Sequence, residues 1–334
     1  MGRINAILRL NMSGHAVDGR AEAERYGAAL DMAAYADEHG FAVVNVEEHH
    51  DAAIGWLPSP LVMAALIIAR TSRVQVRASA LLGPLYDPIR LAEDIAILDL
   101  ASRGRFSFVL GQGYRPEEYH ALDRDWAGRG AQTELVIETL LAAWRGDPIE
   151  YRGRVVHVSP RPYTQPHPPF YVGGMSAAAV KRAARFGLPY FPAQPSPALE
   201  ALYLEESARL GRIGFIERHD DLSLLILDDD PERAWQELGP YLLREAEQYA
   251  RWTRAGVPRH YESAADSVAA LRAQKVYEII TPEECRSRAL GRREYRPILH
   301  PLAGGIPVER GWTSLRFFAE HVLAPISEAR AEGD

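Results

Sequence analysis

The segment FAVVNVEEHHD, residues 41–51, joins a short strand-like run to the most polar stretch of the chain. Residues 41–46 are mostly apolar and rich in valine, which is typical of a buried β-strand. Residues 47–51 are all acidic or histidine. The pair Ser59-Pro60 then favours the start of a helix, because serine caps a first turn and proline fits it. The rest of the chain repeats this order of strand, polar loop and helix, so the segment indicates the fold of the whole chain.

Eight strand-helix units of this kind are predicted along the chain. The strands are predicted at residues 4–10, 41–46, 74–82, 106–110, 170–172, 189–192, 222–227 and 298–300. The helices are predicted at residues 21–39, 60–69, 88–100, 116–144 (with an interruption), 176–186, 197–210, 231–254 and 308–323. Alternation of this kind implies a parallel sheet covered by helices. Eight units in 334 residues predict an α/β fold, a (β/α)8 TIM barrel with insertions.

A doubly wound open sheet is the alternative fold for the same alternation. Such sheets, when they bind dinucleotides, carry a Gly-x-Gly-x-x-Gly turn after the first strand. Residues 9–14 read RLNMSG instead, which favours the barrel. Composition does not break along the chain, so we predict one barrel domain over residues 1–334. Excursions are predicted near residues 146–169, which suggest a small hairpin, and near residues 256–296, which look irregular and helical by turns.

Composition argues against several classes of protein. Lys and Arg total 38 against 45 Asp and Glu, a formal net charge of −7, whereas nucleic-acid-binding proteins are usually basic. The single cysteine, Cys285, excludes a disulfide framework and a cysteine metal cluster. The N-terminal residues show no leader pattern, and the longest apolar stretch, residues 61–69, is too short to cross a bilayer. We therefore expect a cytoplasmic protein that binds neither nucleic acid nor membranes.

Charged and histidine side chains follow the second predicted strand. In a barrel, chemistry takes place on the loops after the carboxyl ends of the strands. A carboxylate beside a histidine can tune proton transfer near neutral pH, so Glu48, His49 and His50 are candidate catalytic residues. Two other interpretations stay open: structural histidines in a solvated loop, and a metal site formed by Glu47, His49 and His50. Adjacent residues on one strand converge poorly on one ion, so we predict no metal.

Glycines follow the fourth and fifth predicted strands. The loop after the fifth strand offers the candidate cofactor-binding residues Gly173, Gly174, Met175 and Ser176. Its glycines let a ligand approach the backbone, and the serine begins a helix whose N-terminus favours a phosphate. The loop after the fourth strand offers Gly111, Gln112, Gly113 and Tyr114, where a flat ring could approach and stack on the tyrosine. Each loop could instead be an ordinary turn between a strand and a helix.

Taken in order, these segments resemble the luciferase-like flavin monooxygenase family. The matching stretches are VEEHH (46–50), LPSPL (57–61), DPIRLAE (87–93), LASRGRF (100–106), LGQGYRPEE (110–118), FYVGGMS (170–176), AARFG (183–187) and PLAGG (301–305). The resemblance covers nearly the whole chain and is strongest from residue 41 to residue 187. It implies a (β/α)8 barrel that is often dimeric. It also implies reduced FMN as the cofactor or, in one branch, the deazaflavin coenzyme F420.

The resemblance also implies roles for individual residues. The loop 173–176 would receive the phosphate, and the flavin ring would lie against Leu82, Gly83 and the loop 111–114. His49 or His50 would lie near the reactive edge of the ring. Gln112 departs from the family, since many members have an arginine there that pairs with the phosphate. Arg115 or Arg129 could compensate for the missing charge.

These expectations define a function and its rivals. We expect a flavin-dependent oxidoreductase or monooxygenase that acts on a small organic substrate, with a flavin reductase as a candidate supplier of reduced flavin. The apolar helix over residues 61–69 suggests a homodimer, because the barrel can bury only one face of it. The rivals are a non-catalytic flavin-binding protein or partner subunit, which Gln112 would suit, and a metal hydrolase on the same fold.

Overall fold

The computed structural model describes residues 3–15, 18–218, 223–252 and 265–331. The strands are β1 Arg3–Ile4, β2 Ile7–Leu10, β3 Val43–Val46, β4 Gln75–Leu82, β5 Phe106–Gly111, β6 Ile149–Tyr151, β7 Arg154–Val156, β8 Phe170–Gly173, β9 Tyr190–Phe191, β10 Leu224–Leu227, β11 Tyr277–Ile280, β12 Glu294–Tyr295 and β13 Ile298–Leu299. The helices are α1 Gly19–Glu38, α2 Pro60–Arg70, α3 Pro88–Ser102, α4 Pro116–Ala121, α5 Arg129–Arg145, α6 Ala177–Phe186, α7 Pro197–Arg209, α8 Pro231–Trp252, α9 Val268–Gln274, α10 Pro282–Leu290, α11 Val308–Phe318 and α12 Ala324–Ala331. None of these helices is long and apolar enough to cross a membrane.

The main sheet has nine strands in the order β11-β10-β13-β2-β3-β4-β5-β8-β9, and every neighbouring pair is parallel. From β2 to β9 the strands follow chain order without a reversal, whereas a doubly wound sheet reverses at a switch point. The late strand β13 pairs with the first strand β2, through Ile298 and Ile7. The fold is the predicted α/β architecture of a (β/α)8 TIM barrel, with β11 as a ninth strand that stands out of chain order beside β10.

Two predicted elements differ from the observed ones. The first predicted strand, residues 4–10, is divided: β1 pairs with β12 in a separate small sheet, and only β2 enters the main sheet. The region 256–296 was expected to be irregular, and its residues 256–264 lie outside the described residues. Within the rest, β11 forms a parallel strand beside β10. The prediction missed it because its four residues stand between two short helices. The hairpin predicted within residues 146–169 is confirmed by the antiparallel pair β6 and β7.

The two faces of the sheet differ in polarity, because side chains alternate along each strand. One row comprises Leu8, Val44, Val76 and Phe106, which are fully buried against the surrounding helices. The next row, in register across the same four strands, comprises Arg9, Asn45, Arg77 and Ser107. This row faces the inside of the barrel. The barrel interior is therefore polar, and its charged side chains lead towards the carboxyl ends of the strands.

Candidate active site

A histidine and a glutamate from two different loops form the centre of the site. His49 follows β3, and Glu118 lies in the first turn of α4. His49 Nδ1 lies 2.8 Å from Glu118 Oε1, which also accepts from the backbone N–H of His50 at 3.1 Å. Burial opposes ionisation of Glu118, but His49 and Arg115 outweigh it and lower the pKa of this carboxyl. An ionised carboxylate can only accept, so His49 donates its Nδ1 proton and keeps Nε2 for a ligand.

Aromatic rings surround His49. Their centroids lie 4.6 Å (Trp252), 5.4 Å (Trp56), 5.7 Å (Tyr114) and 6.3 Å (Tyr249) from the imidazole centroid. Trp56 and Trp252 also contact each other, at 4.9 Å between centroids. An apolar wall of this kind limits water around the imidazole and strengthens its electrostatic interactions. Tyr114, a predicted cofactor-binding residue, is thus placed beside the predicted catalytic histidine.

Glu48 connects the ends of two neighbouring strands. Its Oε2 accepts from the backbone N–H of Leu82 at 2.7 Å. Its Oε1 accepts from Tyr86 Oη at 2.7 Å and lies 3.0 Å from His50 Nε2. Glu48 is buried, and these contacts compensate its carboxylate for the loss of water. Glu48 therefore holds the His50 imidazole and the Leu82 backbone in fixed positions relative to one another.

A second carboxylate after β3 pairs with an arginine inside the barrel. Arg9 donates to both oxygens of Glu47, from Nε and, at 2.9 Å, from Nη2. The same Nη2 lies 2.8 Å from Tyr249 Oη. Burial opposes ionisation of Glu47, but the charge of Arg9 outweighs it and lowers the pKa of the carboxyl. Glu47 is therefore engaged by Arg9 within the barrel.

Glu245 of α8 is the most densely hydrogen-bonded carboxylate of the interior. It accepts from Ser13 Oγ, from Asn11 Nδ2 (3.1 Å), from Tyr277 Oη (2.9 Å) and from the Gly304 backbone N–H (3.2 Å), and lies 3.0 Å from His300 Nε2. Burial opposes its ionisation, but His300, Arg9 and Ser13 outweigh it and lower the pKa of Glu245. Through these contacts α8 is attached to the residues that follow both β2 and β13.

Helix α8 was not predicted to contribute to the site. Its residues Glu245, Tyr249 and Trp252 are spaced four and three positions apart, so they share one helix face. That face is mostly apolar, with Leu238 and Leu242 also buried, although Gln248 is buried on it as well. The signal that could have revealed it is an acidic residue within an apolar stripe, since a buried carboxylate needs partners.

The ring-binding candidates lie together at the ends of β4 and β5. A Cβ added at Gly111 would lie 3.0 Å from Ala80 Cβ, and one added at Gly113 would lie 3.6 Å from the Leu82 methyl groups. Gly113 has a φ of +74°, which glycine adopts without strain. Gly83 differs, because its Cβ direction leads towards Leu110 and not towards the barrel mouth. The space beside the Gly83 α-carbon is therefore already filled by the Leu110 side chain.

The phosphate-binding candidates lie at the start of α6. Ser176 Oγ accepts from the Ala179 backbone N–H at 3.2 Å, as an N-cap does. Gly174 has a φ of +137°, and a Cβ there would lie 2.8 Å from Ala179 Cβ. Met175, between them, is half-buried. The pairing of Leu110 with Val172 places the loops that follow β5 and β8 side by side.

Gln112, at the end of β5, contacts an arginine that was not predicted. With its amide oriented to suit its neighbours, Gln112 Oε1 accepts from Arg182 Nη2 (3.1 Å) and Nη1 (3.2 Å) and from Thr133 Oγ1 (3.2 Å). The two arginines expected to compensate for Gln112 are engaged elsewhere. Arg115 pairs with Glu118 and lies over the Trp252 ring, and Arg129 lies over the Trp126 ring.

The three residues considered as metal ligands turn to different partners. His49 faces Glu118, His50 faces Glu48, and Glu47 faces Arg9. Across the part of the chain that the structure describes, no three His, Cys, Asp or Glu side chains are placed to share a metal ion.

Fold and site together define a class of protein. The chain is an α/β barrel in which strand-end loops bring an oriented histidine, aromatic rings and glycine-rich turns to the carboxyl ends of the strands. A family model described as luciferase-like monooxygenase matches residues 9–295. The chain belongs to the luciferase-like monooxygenase family.

Individual relatives agree with this assignment. The chain is 32% identical over 158 residues to the alkanal monooxygenase alpha chain of Photorhabdus laumondii subsp. laumondii, an alignment that covers 46% of this chain and 44% of the relative. The chain thus spans about half the length of the curated relatives that it matches.

Solved structures resemble the chain over nearly its whole length. The oxygenating constituent of 3,6-diketocamphane monooxygenase of Pseudomonas putida, determined with FMN, has a TM-score of 0.68 at 15% identity and covers 97% of this chain and 98% of its own. The coenzyme F420-dependent tetrahydromethanopterin reductase of Methanopyrus kandleri has a TM-score of 0.64 at 15% identity, with coverages of 96% and 99%. At these identities the likeness establishes the fold.

Proposed function

We propose that this protein is a flavin-dependent oxidoreductase or monooxygenase that acts on a small organic substrate. Reduced FMN would bind at the carboxyl ends of the strands. The observation that carries the proposal is the position of His49, which Glu118 orients at the same end of the barrel as the loops 111–114 and 173–176. A general acid or base needs this kind of fixed orientation beside a ligand site.

The loops fit a flavin in three respects. Gly111 and Gly113 leave room beside Ala80 and Leu82, where side chains would otherwise stand. The first N–H groups of α6 lack helical partners, as at any helix start, and favour an anion. Arg182 brings a buried positive charge to the neighbouring strand end. A planar ring and a phosphate at one end of the barrel would match these features.

The residues of the chain would divide the chemistry among them. A bound reduced flavin would supply the electrons and, in a monooxygenase, the activation of oxygen. His49 would donate its Nδ1–H to the Glu118 carboxylate and offer Nε2 to the substrate as a base, or as an acid once Nε2 is protonated. Trp56 and Trp252 limit access of water to that nitrogen. Glu48 holds His50 and the Leu82 backbone in place. We propose Glu48 and His50 as supporting residues of the site.

FMN is the cofactor that we propose first, and F420 is the alternative. Both carry phosphate and a tricyclic ring, so the same loops could serve either. The FMN-bound diketocamphane enzyme and the F420-dependent reductase share this fold. We further propose that a separate flavin reductase supplies reduced FMN, as the description of the former as an oxygenating constituent suggests.

We also propose that the protein is a homodimer, with one barrel domain in each subunit. Helices α2 and α3 pack against each other and expose apolar side chains to solvent. The exposed fractions are 61% for Val62, 47% for Leu66, 53% for Ile97 and 40% for Leu100. Exposed apolar side chains grouped on two neighbouring helices commonly mark a subunit interface.

Anaerobic titration of the protein with reduced FMN and with reduced F420 tests the proposal. We expect saturable binding of reduced FMN, followed by oxygen-dependent turnover when candidate substrates are added. Preference for F420 would select the alternative cofactor and hydride transfer. Binding of flavin without turnover of any substrate would favour a non-catalytic flavin-binding protein, and absence of binding to either coenzyme would refute the proposal.

A further inference from the structure

Arg182 is a buried cation that contacts the end of β5. It lies on α6, and only 6% of its surface is exposed. Its Nη1 and Nη2 donate to Gln112 Oε1, whereas its Nε makes no hydrogen bond to any described residue. Burial lowers the pKa of Arg182, with the charge of Glu134 opposing that effect. A guanidinium buried beside a neutral amide is costly unless an anion compensates it.

The nearest acidic residue compensates this charge only in part. Glu134 Oε1 lies 3.5 Å from Arg182 Nε, and Glu134 Oε2 lies 2.7 Å from Arg185 Nη2. One carboxylate is therefore shared by two guanidinium groups. The three side chains together carry one net positive charge, and Arg182 is the buried member of the pair of arginines.

Arg182 contacts the end of β5, and β5 pairs with β8, the strand that leads into the candidate phosphate loop 173–176. Gln112 follows β5, and Gly174 follows β8, the strand that pairs with β5. A Cβ added at Gly130, in the first turn of α5, would lie 3.6 Å from Arg182 Nη2 and 3.7 Å from the Gln112 amide oxygen that accepts from Arg182. The N-terminal turn of α5 therefore meets this cluster, and Arg182 itself lies on α6, the helix that Ser176 caps. Helix N-termini and a cation act in the same sense on a bound anion.

We infer that Arg182 supplies the positive charge of the phosphate site and so determines preference for a phosphorylated flavin over one without phosphate. The family resemblance places that charge at position 112, on the strand-end loop. In this chain the charge comes from α6, and Gln112 holds the guanidinium in place through its Oε1. Its Nε2 remains a donor. The inference rests on the proposed function, since it concerns the cofactor of the same site.

The test compares reduced FMN with reduced riboflavin, which has the same ring and no phosphate, in phosphate-free buffer under anaerobic conditions. Binding is followed by quenching of tryptophan fluorescence. Arg182→Gln should weaken FMN by about tenfold or more, the scale of one charge-assisted hydrogen bond, and leave riboflavin within about twofold. Arg185→Gln is the matched control, because Arg185 lies on the same helix, shares Glu134 and has a side chain that is 52% exposed. It should change neither affinity by more than about twofold.

A charge relocation keeps the test informative if Arg182→Gln folds poorly. The double variant Arg182→Gln with Gln112→Arg returns the cation to the position that the family resemblance indicates. We expect it to recover most of the preference for FMN, whereas Gln112→Arg alone would set two guanidinium groups against each other and gain less than an isolated new cation would.

The outcomes separate the inference from the proposed function. Equal losses of FMN and riboflavin in Arg182→Gln, or no loss, would overturn the role of Arg182 while flavin binding stands. If the double variant folds and shows no preference for FMN, the inference is overturned as well. If the wild-type protein binds neither flavin, the same titrations are run with reduced F420 and its phosphate-free deazaflavin core. Failure of these too would overturn the proposed function and the inference with it.

Discussion

Glu118 Oε1 and His49 Nδ1 lie 2.8 Å apart, although 69 positions separate the two residues in the chain. The contact requires the loop after β3 and the first turn of α4 to converge, and Arg115 supports it by donating to Glu118 at 3.2 Å. Because Glu118 is ionised, it selects one tautomer of His49. A histidine held in this way is oriented by the fold before any substrate binds, which lowers the cost of reaching the reactive geometry.

The first prediction concerns the imidazole itself. His49→Ala should lower turnover by about 100-fold or more, the usual contribution of a general acid or base, and shift the melting temperature by no more than about 3 °C. His120→Ala is the control, because His120 is exposed at the end of α4. A fall in melting temperature with unchanged turnover would assign His49 a structural role.

The second prediction isolates the carboxylate that orients His49. Glu118→Gln keeps an oxygen that can accept the Nδ1 proton but removes the charge. We expect turnover to fall by about tenfold or more, with the dissociation constant for reduced FMN within about twofold of the wild-type value. Steady-state rates and anaerobic titrations measure the two quantities. An unchanged rate would mean that His49 does not depend on Glu118.

The sequence was sufficient to predict the barrel because its signal is repeated. Alternation of strand and helix, and the absence of a glycine fingerprint after the first strand, distinguish a barrel from an open sheet without any side-chain detail. Position at a strand end also identified the loop 47–51 as a candidate site. Which carboxylate each histidine meets could not be predicted, since Glu118 and Glu48 are chosen by how α4 and β4 pack.

Other parts of the site depend on contacts between distant segments. Arg9 is one charged residue in an otherwise apolar strand, and Glu245 is an acidic residue on the apolar face of α8. Each of these two residues indicates that a buried polar partner exists, but the sequence does not show which residue that partner is. Arg182 was missed for another reason: within α6 it looks like one of two surface arginines, and the packing of α6 against the end of β5 buries it.

The third prediction concerns the subunit interface. Introducing charge into the apolar surface of α2 and α3, as in Leu66→Glu or Ile97→Glu, should convert a homodimer into a monomer. Light scattering at micromolar concentration measures the mass. Leu204→Glu on α7 is the control, since Leu204 is similarly exposed, at 43%, but far along the chain from this surface. A wild-type protein that scatters as a monomer would refute the dimer.

The last prediction follows from Glu245, whose carboxyl has a pKa below its ordinary value of 4.5. A group with a lowered folded-state pKa contributes stability above its unfolded pKa, and that contribution is lost as the pH falls towards the folded value. The free energy of unfolding in urea should therefore be steady near neutral pH and fall below about pH 5. Glu47 and Glu118 act in the same direction.

Glu245→Gln should reveal the share that belongs to this residue. The variant should lose about 3–5 kcal/mol at neutral pH, because His300 is left without its buried anion and Arg9 keeps Glu47 but loses Glu245. Its stability should then depend less steeply on pH below 5, since one carboxyl with a lowered pKa is removed while others, such as Glu47 and Glu118, remain. Glu247→Gln, two positions away and 44% exposed, should follow the wild-type curve. A Glu245→Gln curve parallel to that of the wild type would mean that the pKa of Glu245 is the same in the folded and the unfolded protein, so that His300, Arg9 and Ser13 do not lower it.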